Sequence, residues 1–241
     1  MSGLIYRNLY LHRFPLMFIG IFSLLMSALW IWLVCTSADA AKEDPTTAMF
    51  TLFVGFIVFG LLFFLSNMMN SMIFQTDEKG VCCSFAFSTP LGGRGFIESK
   101  YYTVLIINVA VLAYCFIIDQ ITTAIGSAAV SLGLPLVLIF SLETLMNAVT
   151  MPFMVRFGSD KGANISVSSV MVLFAIIFVY FLFGDISFLM SEDPVTDFMN
   201  WLMDGSAVLW VGLFPYFSVA SYYISFRISA SLYQKGAASY E

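Results

Sequence analysis

Six long apolar runs constrain this chain more than any other feature of its 241 residues. A helix needs about 20 consecutive, mostly apolar residues to cross the hydrocarbon core of a bilayer. Only 10% of the residues are charged, whereas soluble domains carry about 25%. Apolarity within each run is continuous rather than alternating, which favours helices over barrel strands. The sequence therefore predicts an all-α, polytopic membrane protein, a single transmembrane domain over 1–241, with spans at 15–35, 47–74, 101–121, 132–153, 166–189 and 207–230.

Basic residues fall on one side of this predicted topology. Nine of the ten lysines and arginines lie before the first span, at the end of the last, or between spans two and three or four and five; Lys42 is the exception. Because cytoplasmic segments are enriched in Lys and Arg, we expect both termini in the cytoplasm. The opposite loops are acidic, and the net charge of −5 gives no sign of nucleic-acid binding.

Two shorter segments are predicted to lie at the membrane surfaces. Residues 1–13 place Leu4, Ile5 and Leu9 among Tyr, Arg and His, which is typical of an N-terminal interfacial helix. Asp193 and Pro194 form a helix start signal, and apolar residues then recur at helical spacing, so we expect a short external helix at 194–203 before span six. An ordinary loop with an interfacial tryptophan is the alternative.

Polar residues at predicted membrane depth mark a candidate pathway. Glu143, Asn147 and Thr150 follow one another at i, i+4 and i+7, so they share one face of span four. Asp119 lies near the outer end of span three. Such groups suggest a pathway wall or a proton relay, because ionisable groups are costly in lipid. Interhelical hydrogen bonding is the structural alternative.

A third polar stripe lies on span two. Asn67, Asn70 and Ser71 recur at i, i+3 and i+4. Methionines occupy neighbouring positions between residues 68 and 72, and such soft side chains adapt to varied apolar ligands. The stripe is consistent with a cavity lining and equally with helix packing.

One polar interruption, residues 75–102, is longer than a simple connection requires. Loops beyond about 12–15 residues tend to be functional or disordered, and the Phe, Cys and Pro content here argues against disorder. Residues 81–88 are mildly apolar, and residues 89–93 predict a turn. We expect a short cytoplasmic helix at 81–88 that docks a partner.

The motifs of this interruption resemble those of a transporter family. D-E-K-G at 77–80, T-P-L at 89–91 and S-K-Y-Y at 99–102 are similar to the permeases of the second bacterial class of ATP-binding-cassette (ABC) exporters. The six spans and the N-terminal interfacial helix resemble the same class. Lys100 keeps the family's spacing of ten residues from Pro90, whereas Arg94 is displaced by one and residues 92–95 are glycine-rich and expected to be flexible. The short chain is most similar to permeases that export phenol-soluble modulin-like amphipathic peptides.

This resemblance implies a non-catalytic subunit in a bacterial plasma membrane. Two permease copies, expected to form a homodimer embedded in membrane lipid, would pair with two ABC ATPase subunits and export an amphipathic peptide or lipid-like substrate. The chain lacks G-x-x-x-x-G-K-[ST], so we expect it to bind no cofactor and ATP with Mg²⁺ to bind in the partner. The implied docking residues around the coupling helix are Asp77, Glu78, Cys83, Phe85, Phe87, Pro90 and Arg94. A second cytoplasmic contact would use Arg156, Asp160 and Lys161.

Two other classes of function are weighed against this one. An ion-coupled secondary transporter would use Glu143 and Asp119 as proton carriers, and inverted repeats with broken helices would favour it. An intramembrane enzyme would need a histidine-based or paired-carboxylate site, and His12 is the single histidine of the chain. His12 alone also cannot build a histidine metal site.

Overall fold

The computed structural model describes residues 2–37, 45–78, 92–125, 132–183 and 205–238. Helices fill almost all of these ranges, and no strand occurs within them, so the predicted all-α class is confirmed for this part of the chain. The helices are α1 (Ser2–Leu11), α2 (Arg13–Ser37), α3 (Pro45–Glu78), α4 (Gly92–Ile125), α5 (Gly133–Phe157), α6 (Ser159–Phe183) and α7 (Gly205–Ala238).

Four of the described helices contain a stretch long and apolar enough to cross a membrane. These stretches are α2, residues Phe53–Gln75 of α3, α4 and α5. They overlap the first four predicted spans, although α4 begins nine residues before the predicted start of the third span. The fifth and sixth predicted spans overlap α6 and α7, and their crossing of the membrane stays a prediction.

The start of α4 differs from the sequence prediction. We expected a turn through Gly93 and a flexible glycine-rich stretch, but the helix already begins at Gly92, whose φ of 58° lies in the left-handed region that favours glycine. Gly93 and Gly95 are buried in the first turn. Glycine has a low helix propensity, and the tertiary packing of these turns outweighs that local preference.

A tight corner joins α5 to α6 within the predicted second contact. Gly158 alone separates the two helices, and its φ of 90° requires glycine. A Cβ atom at Gly162 would lie 2.8 Å from Cα of Met154, so a side chain there would displace backbone. The two helices therefore approach closely at this end.

Two apolar cores occupy opposite ends of the bundle. The basic-end core joins the end of α3, the start of α4, the end of α5 and part of α7, and comprises Ile73, Phe74, Phe96, Ile97, Tyr101, Val104, Ile107, Ala148, Met151, Met154 and Tyr222. The far-end core joins the opposite parts of α2, α3, α4 and α5, and comprises Trp30, Val34, Val58, Phe59, Leu62, Phe63, Cys115, Ile118, Leu132 and Leu136. Helices α3, α4 and α5 thus run in alternating directions.

Cationic side chains gather at the basic-end core. The Lys100 ammonium lies 4.5 Å from the ring centroid of Phe74 and 4.9 Å from that of Phe96, and the Arg7 guanidinium carbon lies 5.8 Å from the Phe96 centroid. Such cation–π contacts stabilise a charge next to apolar surface. The predicted grouping of basic residues at one end agrees with this placement, and the membrane side that this end faces stays a prediction.

The first helix is fastened to the same end. Nδ2 of Asn8 donates to Oγ1 of Thr103 over 3.4 Å, and a ring nitrogen of His12 lies 3.3 Å from the backbone oxygen of Met72. Helix α1 is therefore tied to α4 through Asn8, and His12, directly after α1, contacts the end of α3. Its predicted interfacial location remains a prediction.

Candidate functional site

A layer of buried polar side chains lies between the two apolar cores. We call it the mid-bundle polar layer, and its members are Ser66, Asn70, Asn108, Glu143 and Asn147. All five are buried, with at most 6% of each residue's surface exposed. Polar groups at this depth are unusual, because each must find a partner in an apolar medium.

The position of the layer follows from the chain order of its neighbours. On α3, Asn70 lies between Phe63 of the far-end core and Ile73 of the basic-end core. On α5, Asn147 lies between Leu136 of the far-end core and Met151 of the basic-end core. The layer therefore occupies the middle of the bundle.

Two hydrogen bonds join three helices through this layer. Oγ of Ser66 donates to Oδ1 of Asn108 over 2.7 Å and ties α3 to α4. Nδ2 of Asn70 donates to Oδ1 of Asn147 over 3.2 Å and ties α3 to α5. Interhelical bonds of this kind contribute on average about 0.6 kcal/mol in a membrane. Helix α3 therefore takes part in both of these interhelical hydrogen bonds.

Several atoms of the layer lack a hydrogen-bond partner within the described ranges. They are both carboxyl oxygens of Glu143, Oδ1 of Asn70 and Nδ2 of Asn147. A buried polar atom without a partner costs about 1–3 kcal/mol. Among the described residues, the layer is thus kept at an energetic cost in this arrangement.

The two carboxyl groups considered for a proton relay have different surroundings. Oδ1 of Asp119 accepts a hydrogen bond of 2.9 Å from the backbone N–H of Leu132, so Asp119 fixes the start of α5. Glu143 lies eleven residues beyond Leu132, which is about 17 Å along a helix. The described side chains therefore do not place the two carboxyls together.

The remaining predicted pathway residues differ in burial. Thr150 is buried, and its hydroxyl donates to the backbone oxygen of Met146 over 3.0 Å. Asn67 and Ser71 are only half-buried. On α3 the fully buried polar pair is Ser66 and Asn70, four residues apart, so the polar face is rotated slightly from the predicted stripe.

Most of the predicted docking residues lie outside the described residues. These are Cys83, Phe85, Phe87 and Pro90, together with the predicted coupling helix at 81–88; the predicted external helix at 194–203 is outside them as well. Asp77 and Glu78 are the last two residues of α3, and the structure describes their backbone but not their side chains. Arg94 is exposed in the first turn of α4.

The predicted second contact lies on the corner between α5 and α6. Arg156 is exposed in the last turn of α5, with its guanidinium carbon 5.2 Å from the ring centroid of Phe157. Lys161 is exposed in the first turn of α6, and Asp160 belongs to the same turn, with its side chain outside the description. Both described cations of this contact are therefore accessible at one end of the bundle.

A tyrosine junction between α4 and α7 was not predicted. The Tyr101 hydroxyl lies 2.8 Å from Oγ of Ser225 and 2.7 Å from Oγ of Ser229, and the Tyr222 hydroxyl donates to the backbone oxygen of Tyr101 over 2.8 Å. The sequence does carry a signal for it: serines recur every four residues on α7, and such a row of hydroxyl groups can hydrogen-bond to a hydroxyl group on a neighbouring helix. The junction fixes α7 against α4.

We expect Tyr101→Phe to lower the free energy of unfolding by about 1–3 kcal/mol, because it leaves two buried serine hydroxyls without their shared partner. Thermal unfolding of the purified protein in detergent measures this effect. Tyr102→Phe, at the adjacent and largely exposed position, is the matched control and should unfold like the parent. Equal melting temperatures for both variants would contradict a stabilising role for the junction.

Together, these features define a class of protein. Apolar helices long enough to span a membrane surround a buried polar layer, as in polytopic membrane transporters. The model of a family described as "ABC-2 family transporter protein" matches residues 3–234, so the chain belongs to this family. Its members are the permease subunits of ABC transporters, and an ABC ATPase is the partner that the family implies.

The family match confirms the predicted resemblance at the level of an ABC-2 permease. No curated protein and no solved structure gives a significant match to the chain. The predicted likeness to exporters of phenol-soluble modulin-like peptides stays a prediction.

Proposed function

We propose that this chain is the membrane subunit of an ATP-driven exporter of amphipathic peptides or similar lipid-like molecules. The observation that carries the proposal is the mid-bundle polar layer, which sets unsatisfied polar atoms between two apolar cores. An amphipathic cargo presents both kinds of surface at once. A wall of this composition therefore complements such cargo better than it complements a small ion.

Rigid helices give the predicted coupling helix a mechanical link to the layer. Helix α3 continues unbroken to Glu78, so Asn70 lies about 12 Å along the helix from the start of residues 79–91. Helix α4 begins directly after this segment and carries Asn108 about 24 Å further on. A displacement imposed by an ATPase at residues 79–91 would therefore move both partners of the α3–α4 contact.

The energetics of the layer favour movement over a single locked state. Breaking the Ser66–Asn108 or Asn70–Asn147 hydrogen bond costs little in a membrane, whereas Glu143 has no described partner to lose. ATP binding would bias an equilibrium between two arrangements of these helices. In one arrangement, the polar atoms would face cargo in a cavity shared with a second copy of the chain.

Transport of a defined peptide tests this proposal. The chain is reconstituted into liposomes with its co-purifying ABC ATPase, and vesicles with outward-facing ATPase are supplied with ATP and a fluorescent amphipathic helical peptide. We expect the peptide to accumulate inside these vesicles in an ATP-dependent manner. A scrambled peptide of identical composition, which lacks an amphipathic face, is the control and should not accumulate.

Two results would count against the proposal. Equal accumulation of the helical and scrambled peptides would exclude amphipathic structure as the recognised property. Accumulation driven by an ion gradient without ATP would instead favour a secondary transporter.

A further inference from the structure

A groove between α4 and α7 is lined by residues that do not belong to the mid-bundle polar layer. Its volume is about 330 Å³, within the range of roughly 300–1,000 Å³ typical of ligand sites. Its lining on α4 extends from Arg94 to Leu105, a length of about 17 Å along the helix. The floor includes the buried Thr144 of α5. The groove is therefore elongated and runs along the helices.

The two ends of the groove differ in polarity. Arg94 and Glu98 line the end next to the first turns of α4, whereas Leu105 and Val219 line the other end. Among the described side chains, neither Arg94 nor Glu98 makes an ion pair. The positive end of the α4 dipole lies at the same end and favours an anion. One cation and one carboxylate are thus presented together, one helical turn apart.

The groove opens on the outer surface of the bundle. Tyr102 and Tyr223 line the groove, and both residues are exposed, as is Val219. The adjoining surface of α7 is apolar, with Ile224 and Ile228 exposed. The predicted sixth span would place this surface against lipid, and tyrosine is enriched where a membrane protein meets the lipid head groups. Access to the groove is therefore lateral, from the membrane.

We infer that the groove binds a zwitterionic phospholipid whose head group carries a phosphate and a primary ammonium. Arg94 holds the phosphate, because a guanidinium matches its oxygens in a two-pronged hydrogen-bonding geometry. Glu98 accepts hydrogen bonds from the ammonium, and the exposed tyrosine faces add cation–π attraction. The first part of an acyl chain lies along Leu105 and Val219. The opposed charges of the groove favour this head group over a purely anionic one.

Lipid binding to the isolated full-length chain tests the inference. Delipidated protein in detergent is titrated with phosphatidylethanolamine, phosphatidylglycerol and diacylglycerol of identical acyl chains, and binding is measured by native mass spectrometry. We expect phosphatidylethanolamine to bind about tenfold more tightly than diacylglycerol, because charge-assisted hydrogen bonds form only with the head group. Soluble glycerophosphoethanolamine, which lacks acyl chains, should not displace it.

Charge-neutralising variants separate the two halves of the head group. Arg94→Gln should weaken the binding of both phospholipids about tenfold and leave the binding of diacylglycerol unchanged. Glu98→Gln should weaken the binding of phosphatidylethanolamine and strengthen the binding of phosphatidylglycerol, so that the protein no longer prefers one over the other. Val219→Trp should weaken the binding of all three lipids, because the larger side chain fills the apolar end of the groove. Arg227→Gln is the matched control, because Arg227 lies on a neighbouring surface depression outside this groove.

Three outcomes would overturn the inference: unchanged lipid preference in both Arg94→Gln and Glu98→Gln, an equal loss in Arg227→Gln, or displacement by the soluble head group. The first two would indicate non-specific attraction to the basic end, and the third would indicate a soluble ligand. Arg94 is also a predicted docking residue, so the ATPase is omitted from these measurements. The result is therefore independent of the proposed cargo.

Discussion

Replacing Phe85 and Phe87 together with aspartate is expected to abolish the stimulation of the partner ATPase by this permease. Both residues belong to the predicted coupling helix, where aromatic side chains would fill an apolar groove of the ATPase. Two buried carboxylates without partners would each cost several kcal/mol at that interface. The measurement is ATP hydrolysis by the co-reconstituted ATPase with parent or variant permease, and we expect at least a tenfold loss.

A conservative double variant controls for this change. Phe85→Leu with Phe87→Leu keeps the segment apolar and should retain most of the stimulation. The amount of ATPase that co-purifies with each variant shows whether docking or a later step is lost. Full stimulation by the double-aspartate variant would show that these residues do not form the docking surface.

Glu143→Met is expected to raise the free energy of unfolding by about 1–3 kcal/mol, because it removes two buried oxygens that lack a described partner. Methionine has a similar length and adapts to an irregular site. We also expect transport to fall, because the layer loses a polar side chain that would face cargo in the proposed mechanism. A gain in stability with a loss of activity is typical of a residue kept for function. Thermal unfolding and peptide transport are measured on the same preparation.

Two further variants sharpen this prediction. Ser141→Ala is the matched control on α5, because the buried Ser141 hydroxyl already donates to the backbone oxygen of Val137 over 2.7 Å. It should not stabilise the protein. Glu143→Gln keeps a polar side chain and removes ionisation, so ATP-driven export should persist. Destabilisation by Glu143→Met would indicate a partner for the carboxyl, and loss of export in Glu143→Gln would indicate proton coupling.

The candidate site was only partly predictable from the sequence. Glu143, Asn147 and Thr150 share a helix, so their common burial followed from periodicity alone. The pairing of Asn70 with Asn147 did not, because it depends on how α3 and α5 are rotated about their axes. Helical periodicity places residues on a face but does not identify the neighbour of that face.

Local preferences misled the prediction at one point. The glycines of residues 92–95 indicated a turn, since glycine disfavours helices, yet α4 begins at Gly92. Burial of Phe96 and Ile97 after them, and the contact of the Lys100 ammonium with aromatic rings, stabilise the first turns. Packing with distant residues therefore outweighed a local propensity.

The sequence by itself determined the all-helical class, the approximate bounds of the first four spans and the gathering of basic residues at one end. These properties depend on stretches of consecutive residues, because transfer into lipid and charge asymmetry are set locally. Only the tertiary structure decided that Ser66 meets Asn108, that Tyr101 meets Ser229 and that a groove opens between α4 and α7. The two hydrogen-bonded pairs are 42 and 128 positions apart in sequence, and the packing of whole helices brings them together.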